Sequence, residues 1–316
     1  MKKLLIIVPC YNEQEVLPNT IEKLSGVMND LLEKEKISRQ SGILLVNDGS
    51  GDKTWEIICD AHNKTNYVYG LNLVVNVGHQ NALLAGLDYA KDKFDITITI
   101  DADLQDDISV IETMLDKFYD GAHIVYGVRN DRKSDSCFKR ITANIFYKFM
   151  KFLGAETIDN HADFRLLSNE AVIELLKYSE RNIFLRGIVA KIGLKSEKVY
   201  YSRLERTAGV TKYPFKKMVS FATEGITSLS IKPIKLILLL GLFIIFCSII
   251  ALAYVLISYF FTETNPGWAS LMISIWFLGG VQLFSIGIVG EYVGKTYIET
   301  KKRPRYTVSE ILDYEE

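Results

Sequence analysis

The chain is poor in the residues that announce several common chemistries. Only four cysteines occur in 316 residues, and Cys10, Cys59, Cys137 and Cys247 form no CxxC pair. That argues against a disulfide framework or a thiolate metal site, so reduced thiols in a reducing compartment are the expectation. The four histidines are scattered without zinc-ligand spacing. Neither sign of charge is in excess: 37 Lys and Arg against 38 Asp and Glu give a formal net charge of -1. No basic face with interleaved aromatics occurs, so no nucleic-acid partner is expected. No GxGxxG follows the first apolar run, which disfavours a dinucleotide oxidoreductase. Gly290–Thr296 imitates a phosphate loop, but it is one residue short and ends an apolar span instead of a strand. Internal repeats and low-complexity tracts are also missing. Met1–Pro9 briefly imitates a secretion signal, yet its apolar stretch is short and polar Asn12-Glu13-Gln14-Glu15 follows at once. It reads as the first buried strand.

What is present is an alternation. Strand-like runs fall at Leu4–Val8, Ile43–Asn47, Leu71–Asn76, Ile96–Ile100 and Ile124–Tyr126. Helical patterns fall between them, at Thr54–His62, Gln80–Ala90 and Val110–Tyr119, and later at Phe138–Leu153, Glu170–Tyr178 and Phe184–Ile192. Alternation of this kind predicts an α/β domain with a mainly parallel sheet covered on both faces. It extends over residues 1–212.

The composition then changes. Leu236–Thr262 and Thr264–Gly290 contain no charged residue. Each is longer than the roughly 20 residues a helix needs to cross a hydrocarbon core. Two transmembrane helices are predicted, at about 236–261 and 268–290, within a segment 235–291. Lys232 and Lys235 precede the first span, and Lys295, Lys301, Lys302, Arg303 and Arg305 follow the second. The connecting turn, 262–267, has no Lys or Arg. The positive-inside rule therefore puts both termini in the cytoplasm, in a multi-pass protein of the inner or plasma membrane. Residues 213–234 carry Phe215, Met218, Val219, Ala222, Ile226 and Leu229 at helical spacing, with Lys216 and Lys217 on other faces. They predict an amphipathic interfacial helix. Residues 292–316 read as a cytoplasmic tail. Gly279, Gly280, Gly287 and Gly290 would let spans approach closely, a route to homo-oligomers.

The chemistry lies at strand ends. Ile96–Ile100 runs directly into Asp101-Ala102-Asp103-Leu104-Gln105. Two carboxylates and an amide oxygen past the carboxyl end of a strand suit a hard divalent cation, Mg2+ or Mn2+. Such a cation could neutralise a diphosphate leaving group. The first strand ends in Pro9-Cys10-Tyr11-Asn12-Glu13 and the second in Asn47-Asp48-Gly49-Ser50-Gly51. Tyr11 offers a ring for stacking, Asp48 a carboxylate that can accept from a nucleobase imide, and Gly49 and Gly51 a tight turn. Arg129, Lys139 and Arg140, with Arg132 and Lys133, form a basic run beside a strand end. Planar guanidinium groups match phosphate geometry. Arg206 and Lys212 lie in the stretch leading to the membrane segment.

Together these residues resemble a known family. Val-Pro-Cys-Tyr-Asn-Glu, Asn-Asp-Gly-Ser and Asp-Ala-Asp-Leu-Gln look like the family 2 glycosyltransferases of the GT-A fold. Within that family the chain is most similar to the bactoprenol glucosyltransferases, relatives of dolichyl-phosphate mannose synthase. That group carries counterparts of Gly78-His79-Gln80, Tyr126-Gly127-Val128-Arg129, Asp163-Phe164-Arg165-Leu166 and Thr211-Lys212-Tyr213-Pro214, and two carboxyl-terminal spans. Many relatives have a second aspartate where this chain has Asn47, which leaves Asp48 to read the base. The resemblance implies single-sugar transfer, with inversion, from a nucleotide-sugar donor to a polyprenyl phosphate acceptor. UDP-glucose or UDP-N-acetylglucosamine is the expected donor. Pro9, Tyr11, Glu13, Asp48, Asp101 and Ala102 would hold the nucleotide, and Asp101, Asp103 and Gln105 the metal. Arg129, Arg140, Arg206 and Lys212 would hold the acceptor phosphate, and Asp163 would be the catalytic base, with Asp103 and Arg129 also catalytic. A phosphate monoester is already ionised near neutrality, its second pKa being about 6, so Asp163 could instead position the acceptor. A processive polysaccharide synthase would show a Gln-x-x-Arg-Trp motif, which is absent. A non-catalytic membrane scaffold would be expected to have lost the acidic pair. A nucleotidyltransferase would show a glycine-rich loop after the first strand.

Overall fold

The computed structural model describes residues 1–130, 161–181, 184–202 and 267–314, with helical positions 232–239, 241, 243, 244, 246, 250 and 253. In chain order the elements are β1 (Leu4–Cys10), α1 (Leu17–Glu33), β2 (Gly42–Asn47), α2 (Thr54–Lys64), β3 (Val68–Leu73), α3 (His79–Ala90), β4 (Ile96–Thr99), a short 3-10 turn (Ile108–Val110), α4 (Ile111–Tyr119) and β5 (Ile124–Arg129). After them come β6 (His161–Ser168), α5 (Asn169–Leu176), α6 (Leu185–Lys191), β7 (Ser196–Tyr201), α7 (Trp268–Thr300) and β8 (Val308–Leu312).

Two compact units result. The first gathers residues 1–147, 157–214 and 304–316. Its sheet has the order β7-β5-β6-β4-β1-β2-β3-β8. The pairs β1–β2, β1–β4, β2–β3 and β5–β7 are parallel, whereas β6 and β8 run against their neighbours. The chain leaves β1 to one side through β2 and β3, then crosses back to β4 on the other. That reversal opens a crevice at the carboxyl ends of β1 and β4, the usual ligand site in open α/β sheets.

Alternation along the central strands builds two cores. Leu4, Ile6 and Val8 face one side with Ile43 and Leu45, under Leu17, Leu24, Met28 and Leu31 of α1 and Ile111, Met114 and Leu115 of α4. Leu5, Ile7, Leu44 and Val46 face the other, under α3, Ala171, Val172 and Leu175 of α5, and Ile188 and Val189 of α6. Each such side chain contributes about 1.5–3 kcal/mol on burial. The helices begin where the sequence permits: Pro18 sits in the first turn of α1, and the Ser168 hydroxyl caps α5 by accepting from Ala171 N at 3.1 Å.

Four strands differ from the sequence reading, among them β7, where no strand is expected from the sequence. The strand expected at Leu71–Asn76 forms earlier, as β3: Val74 N still donates to Thr307 O beside β8, but Val77 N and Gly78 N turn to the Asp48 carboxylate. β6 spans the Asp163–Leu166 motif, which had been read only for its chemistry. β8 falls in the segment read as a tail, and the reading of 292–316 is corrected accordingly: α7 continues to Thr300, and Val308–Leu312 then joins β3. Tyr314 secures this return. Its ring stacks on His62 with centroids 4.4 Å apart, and its hydroxyl lies 2.9 Å from His62 O and 3.0 Å from Val68 O.

The second unit covers residues 148–156 and 215–303. Within it, Phe277–Thr300 is long and apolar enough to cross a membrane, and its apolar window is not buried in the protein. The interfacial helix predicted at 213–234, apart from Lys232–Ile234, and most of the first predicted span lie outside the described residues. Tyr314→Ala is expected to lower unfolding stability by about 1–3 kcal/mol, read as a drop in the denaturation midpoint of the detergent-solubilised chain.

Candidate active site

Pro9 starts the site. It has no N–H to donate, and the β1–β4 register stops at Ile7–Thr99 beside it. The chain after β4 is thereby released into the acidic loop. Leu104 holds a φ of +43°, a left-handed conformation rare for a bulky residue, and Leu104 N donates to Asp101 O at 3.2 Å. Ala102 is buried, and its carbonyl accepts from the Thr20 hydroxyl at 2.5 Å. The loop is therefore tight and anchored to α1.

Its carboxylates crowd one another. Enclosure in the cleft pushes the Asp101 carboxyl above its ordinary range; His79 opposes this, and Asp163, Asp106 and Asp103 add repulsion. Glu13 is also raised, first by enclosure and then by Asp103, Asp52 and Asp101. Gln105 is buried and donates its side-chain amide to Asp103 Oδ2. Its backbone N–H also reaches Asp103 Oδ1 at 3.3 Å. Gln105 thus orients Asp103. No group of three or more His, Cys, Asp or Glu side chains with metal-holding placement occurs among the described residues. The donor set is nevertheless oxygen-rich, and its mutual repulsion is of the kind a divalent cation relieves.

The first and second strand ends are laced together. Asn12 N donates to Ser50 Oγ at 3.0 Å, Gly51 N to Asn12 Oδ1 at 2.9 Å, and Glu13 N to Thr54 Oγ1 at 2.9 Å. Tyr11 stays about half exposed (49%), with its ring available. Gly49 has a φ of +61°, and a Cβ there would lie 2.5 Å from the Val75–Asn76 backbone, so only glycine fits. Gly51 is neither left-handed nor crowded. Asp48 is buried, and both its oxygens accept loop N–H groups, Val77 at 2.7 Å and Gly78 at 3.0 Å. The structure therefore shows it fixing the loop that leads into His79.

A cationic half faces the acidic one. The antiparallel β4–β6 register pairs Thr99 with Arg165, and extending it sets Asp163 opposite Asp101. Asp163 is buried. It accepts from Arg165 Nη2 and, at 3.2 and 2.9 Å, from Arg186 Nε and Nη2. His79 Nε2 bridges the halves, 3.5 Å from Asp101 Oδ1 and 3.5 Å from Asp163 Oδ2. Burial works against ionised Asp163, but His79, Arg165 and Arg186 outweigh it and hold its pKa well below the ordinary carboxylate value. A carboxylate so held is a poor proton acceptor. For His79, burial is likewise outweighed, by the hydrogen bond to Asp163 and the charge of Asp101, and its pKa rises. Gln80 Oε1 accepts from Leu185 N at 2.8 Å, which brings the start of α6, and so Arg186, to this place.

Arg129 ends β5. Its Nε and Nη2 donate to Asp106 Oδ1 at 2.9 and 2.7 Å, and its side chain is 29% exposed. Arg140, Arg206 and Lys212, with Arg132, Lys133 and Lys139, lie outside the described residues. Sequence reasoning missed Asp106, Arg186 and Tyr201, and it met His79 only inside a motif. Asp106 could have been suspected from its place after Gln105. Arg186 gave no signal, because only the fold brings it to Asp163.

The crevice at the β1–β4 reversal is thus acidic on one wall and cationic on the other. Residues 5–176 match the model of glycosyl transferase family 2, and residues 232–296 match that of the GtrB C-terminal hairpin. The chain belongs to glycosyl transferase family 2, and the sheet is its GT-A architecture. An uncharacterized glycosyltransferase YkoT of Bacillus subtilis is 53% identical over 305 residues, 96% of this chain and 90% of that protein. A prophage bactoprenol glucosyl transferase homolog of Escherichia coli is 39% identical over 311 residues, 98% of this chain and 99% of the relative. The bactoprenol glucosyl transferase of Shigella phage SfX is 38% identical over 311 residues, covering 97% and 98%.

Because folding lowers the Asp163 pKa, its ionised form stabilises the fold fully above about pH 4. That contribution fades as pH falls through the lowered value. Asp163→Asn is expected to cost about 3–5 kcal/mol, since Arg165 stays buried without its counter-charge. It should also flatten the acid limb of stability against pH, measured by denaturant unfolding.

Proposed function

We propose that this glycosyltransferase moves one sugar from a nucleotide-sugar donor to a polyprenyl phosphate at the cytoplasmic face of a membrane. The observation that carries the reading is the facing of the two halves of the crevice: crowded carboxylates in the loop after β4, and Arg129, Arg186 and His79 across from them. The names of the full-length relatives, bactoprenol glucosyl transferases, support the acceptor. UDP-glucose or UDP-N-acetylglucosamine is the proposed donor.

In this reading Tyr11 stacks on the base, while Pro9, Glu13 and Ala102 shape the nucleotide pocket. Asp48 holds the loop around it and offers its remaining lone pairs to the base. Asp101 and Asp103, with Gln105 orienting Asp103, would hold Mg2+ or Mn2+, which supplies positive charge against the diphosphate. Arg129, joined by Arg140, Arg206 and Lys212, would hold the acceptor phosphate. A phosphate oxygen attacks the anomeric carbon as the bond to the diphosphate breaks, with inversion, and the nucleoside diphosphate leaves. The acceptor is already ionised at neutral pH, so no base is needed. Asp163 serves as the anion that arranges Arg165, Arg186 and His79. The matched hairpin would hold the crevice at headgroup level, with both ends cytoplasmic, so that a long lipid need not leave the bilayer. Its glycines would favour contact between copies.

The decisive experiment incubates the purified chain with undecaprenyl phosphate, Mg2+ or Mn2+, and a panel of radiolabelled nucleotide sugars. Lipid-extractable label from one donor is the expected result, and no transfer from any donor would overturn the reading. Asp103→Asn should lower kcat at least about a hundredfold with an unchanged unfolding midpoint. Retained turnover would remove Asp103 from the site.

A further inference from the structure

Asp106 is 1% exposed, yet no role in the transfer has been given to it above. It follows Gln105 directly, so it is one peptide from the residue that orients Asp103. Three donors converge on its Oδ1: Arg129 Nε at 2.9 Å, Arg129 Nη2 at 2.7 Å and the Tyr201 hydroxyl at 2.6 Å. Its Oδ2 is buried without a hydrogen-bond partner among the described residues.

An arginine paired for stability alone usually lays two nitrogens on two carboxylate oxygens. Here the guanidinium meets one oxygen only, and a buried acceptor stays unmatched, an arrangement that costs stability. What it gains is aim. Nε and Nη2 are turned to Asp106, and the guanidinium keeps a partly exposed side, 29% of the side chain being accessible. Tyr201 makes this orientation rigid. Arg129 and Tyr201 are register partners at the ends of the parallel strands β5 and β7, so their side chains leave the sheet on one face. The Tyr201 ring is buried edge-on to Phe164, with centroids 5.7 Å apart and planes at 76°. A Cβ on Gly127 would approach that ring to 3.0 Å.

We propose that Asp106 and Tyr201 are positioning residues that clamp Arg129 and couple the acidic donor loop to the cation that receives the acceptor phosphate. The inference rests on the reading of Arg129 as that cation. Movement of the loop on donor binding is transmitted through one peptide bond and one shared oxygen to the arginine.

The test is a double-mutant cycle in the full-length detergent-solubilised enzyme, with undecaprenyl phosphate as the varied substrate. Tyr201→Phe keeps the ring and removes only the hydroxyl. It should raise the acceptor KM about tenfold, with little change in donor KM or in the unfolding midpoint. Asp106→Asn should give the same split. Added to Arg129→Ala, Tyr201→Phe should have no further effect, because it acts through that side chain. Full additivity, or equal changes in both KM values, overturns the clamp alone. An Arg129→Ala enzyme with normal acceptor KM overturns the acceptor role of Arg129, and the clamp with it. Should Tyr201→Phe fail to fold, the Asp106→Asn cycle with Arg129→Ala decides by the same criterion.

Discussion

The crevice depends on one electrostatic constraint: the Asp163 carboxylate is buried, and a buried charge must be answered nearby. Arg165 answers from the same strand, Arg186 from α6 and His79 from the start of α3. Three elements distant in sequence are thus drawn to a single anion. The cations cannot relax away without stranding Asp163, so His79 stays beside Asp101 as well. Arg165 even keeps one buried nitrogen unmatched, a sign that local satisfaction gives way to the arrangement as a whole.

Opposed to this cluster is a loop whose charges repel. Asp101 and Glu13 are raised by enclosure and by neighbours of like sign, while Leu104 accepts a strained backbone to hold the loop in place. The two walls differ in kind: Asp163 offsets only part of the positive charge of Arg165, Arg186 and His79, and the acidic wall is left in deficit of positive charge. His79 touches both. Such preorganised polarity stabilises charge that moves during a displacement at little reorganisation cost.

Much of this was legible in the chain. The run Ile96–Ile100 ending in Asp101 named a strand and the start of the acidic loop after it, and apolar alternation at Leu4–Val8 and Ile43–Asn47 gave the central sheet. What escaped reading has a common cause. β6 and β7 are recognisable only by their partners: β7 is largely exposed outside Val199 and Tyr201, and β6 carries charges that a neighbouring strand makes tolerable. Arg186 and Tyr201 acquire meaning through register, which local periodicity does not encode. Asp48 was read by its chemistry alone; the two backbone donors that occupy it come from a loop thirty positions on.

The strand at Val308–Leu312 has a topological consequence. It completes a sheet begun at Leu4, although the hairpin segment intervenes, and Arg305, Tyr306 and Tyr314 fasten it to Tyr178, Asp88 and His62. A polypeptide that departs from one side of a bilayer and must rejoin the same sheet can traverse that bilayer only an even number of times. Because Val308–Leu312 follows Phe277–Thr300 in the chain, the border of β3 is covered only after that apolar stretch has been synthesised.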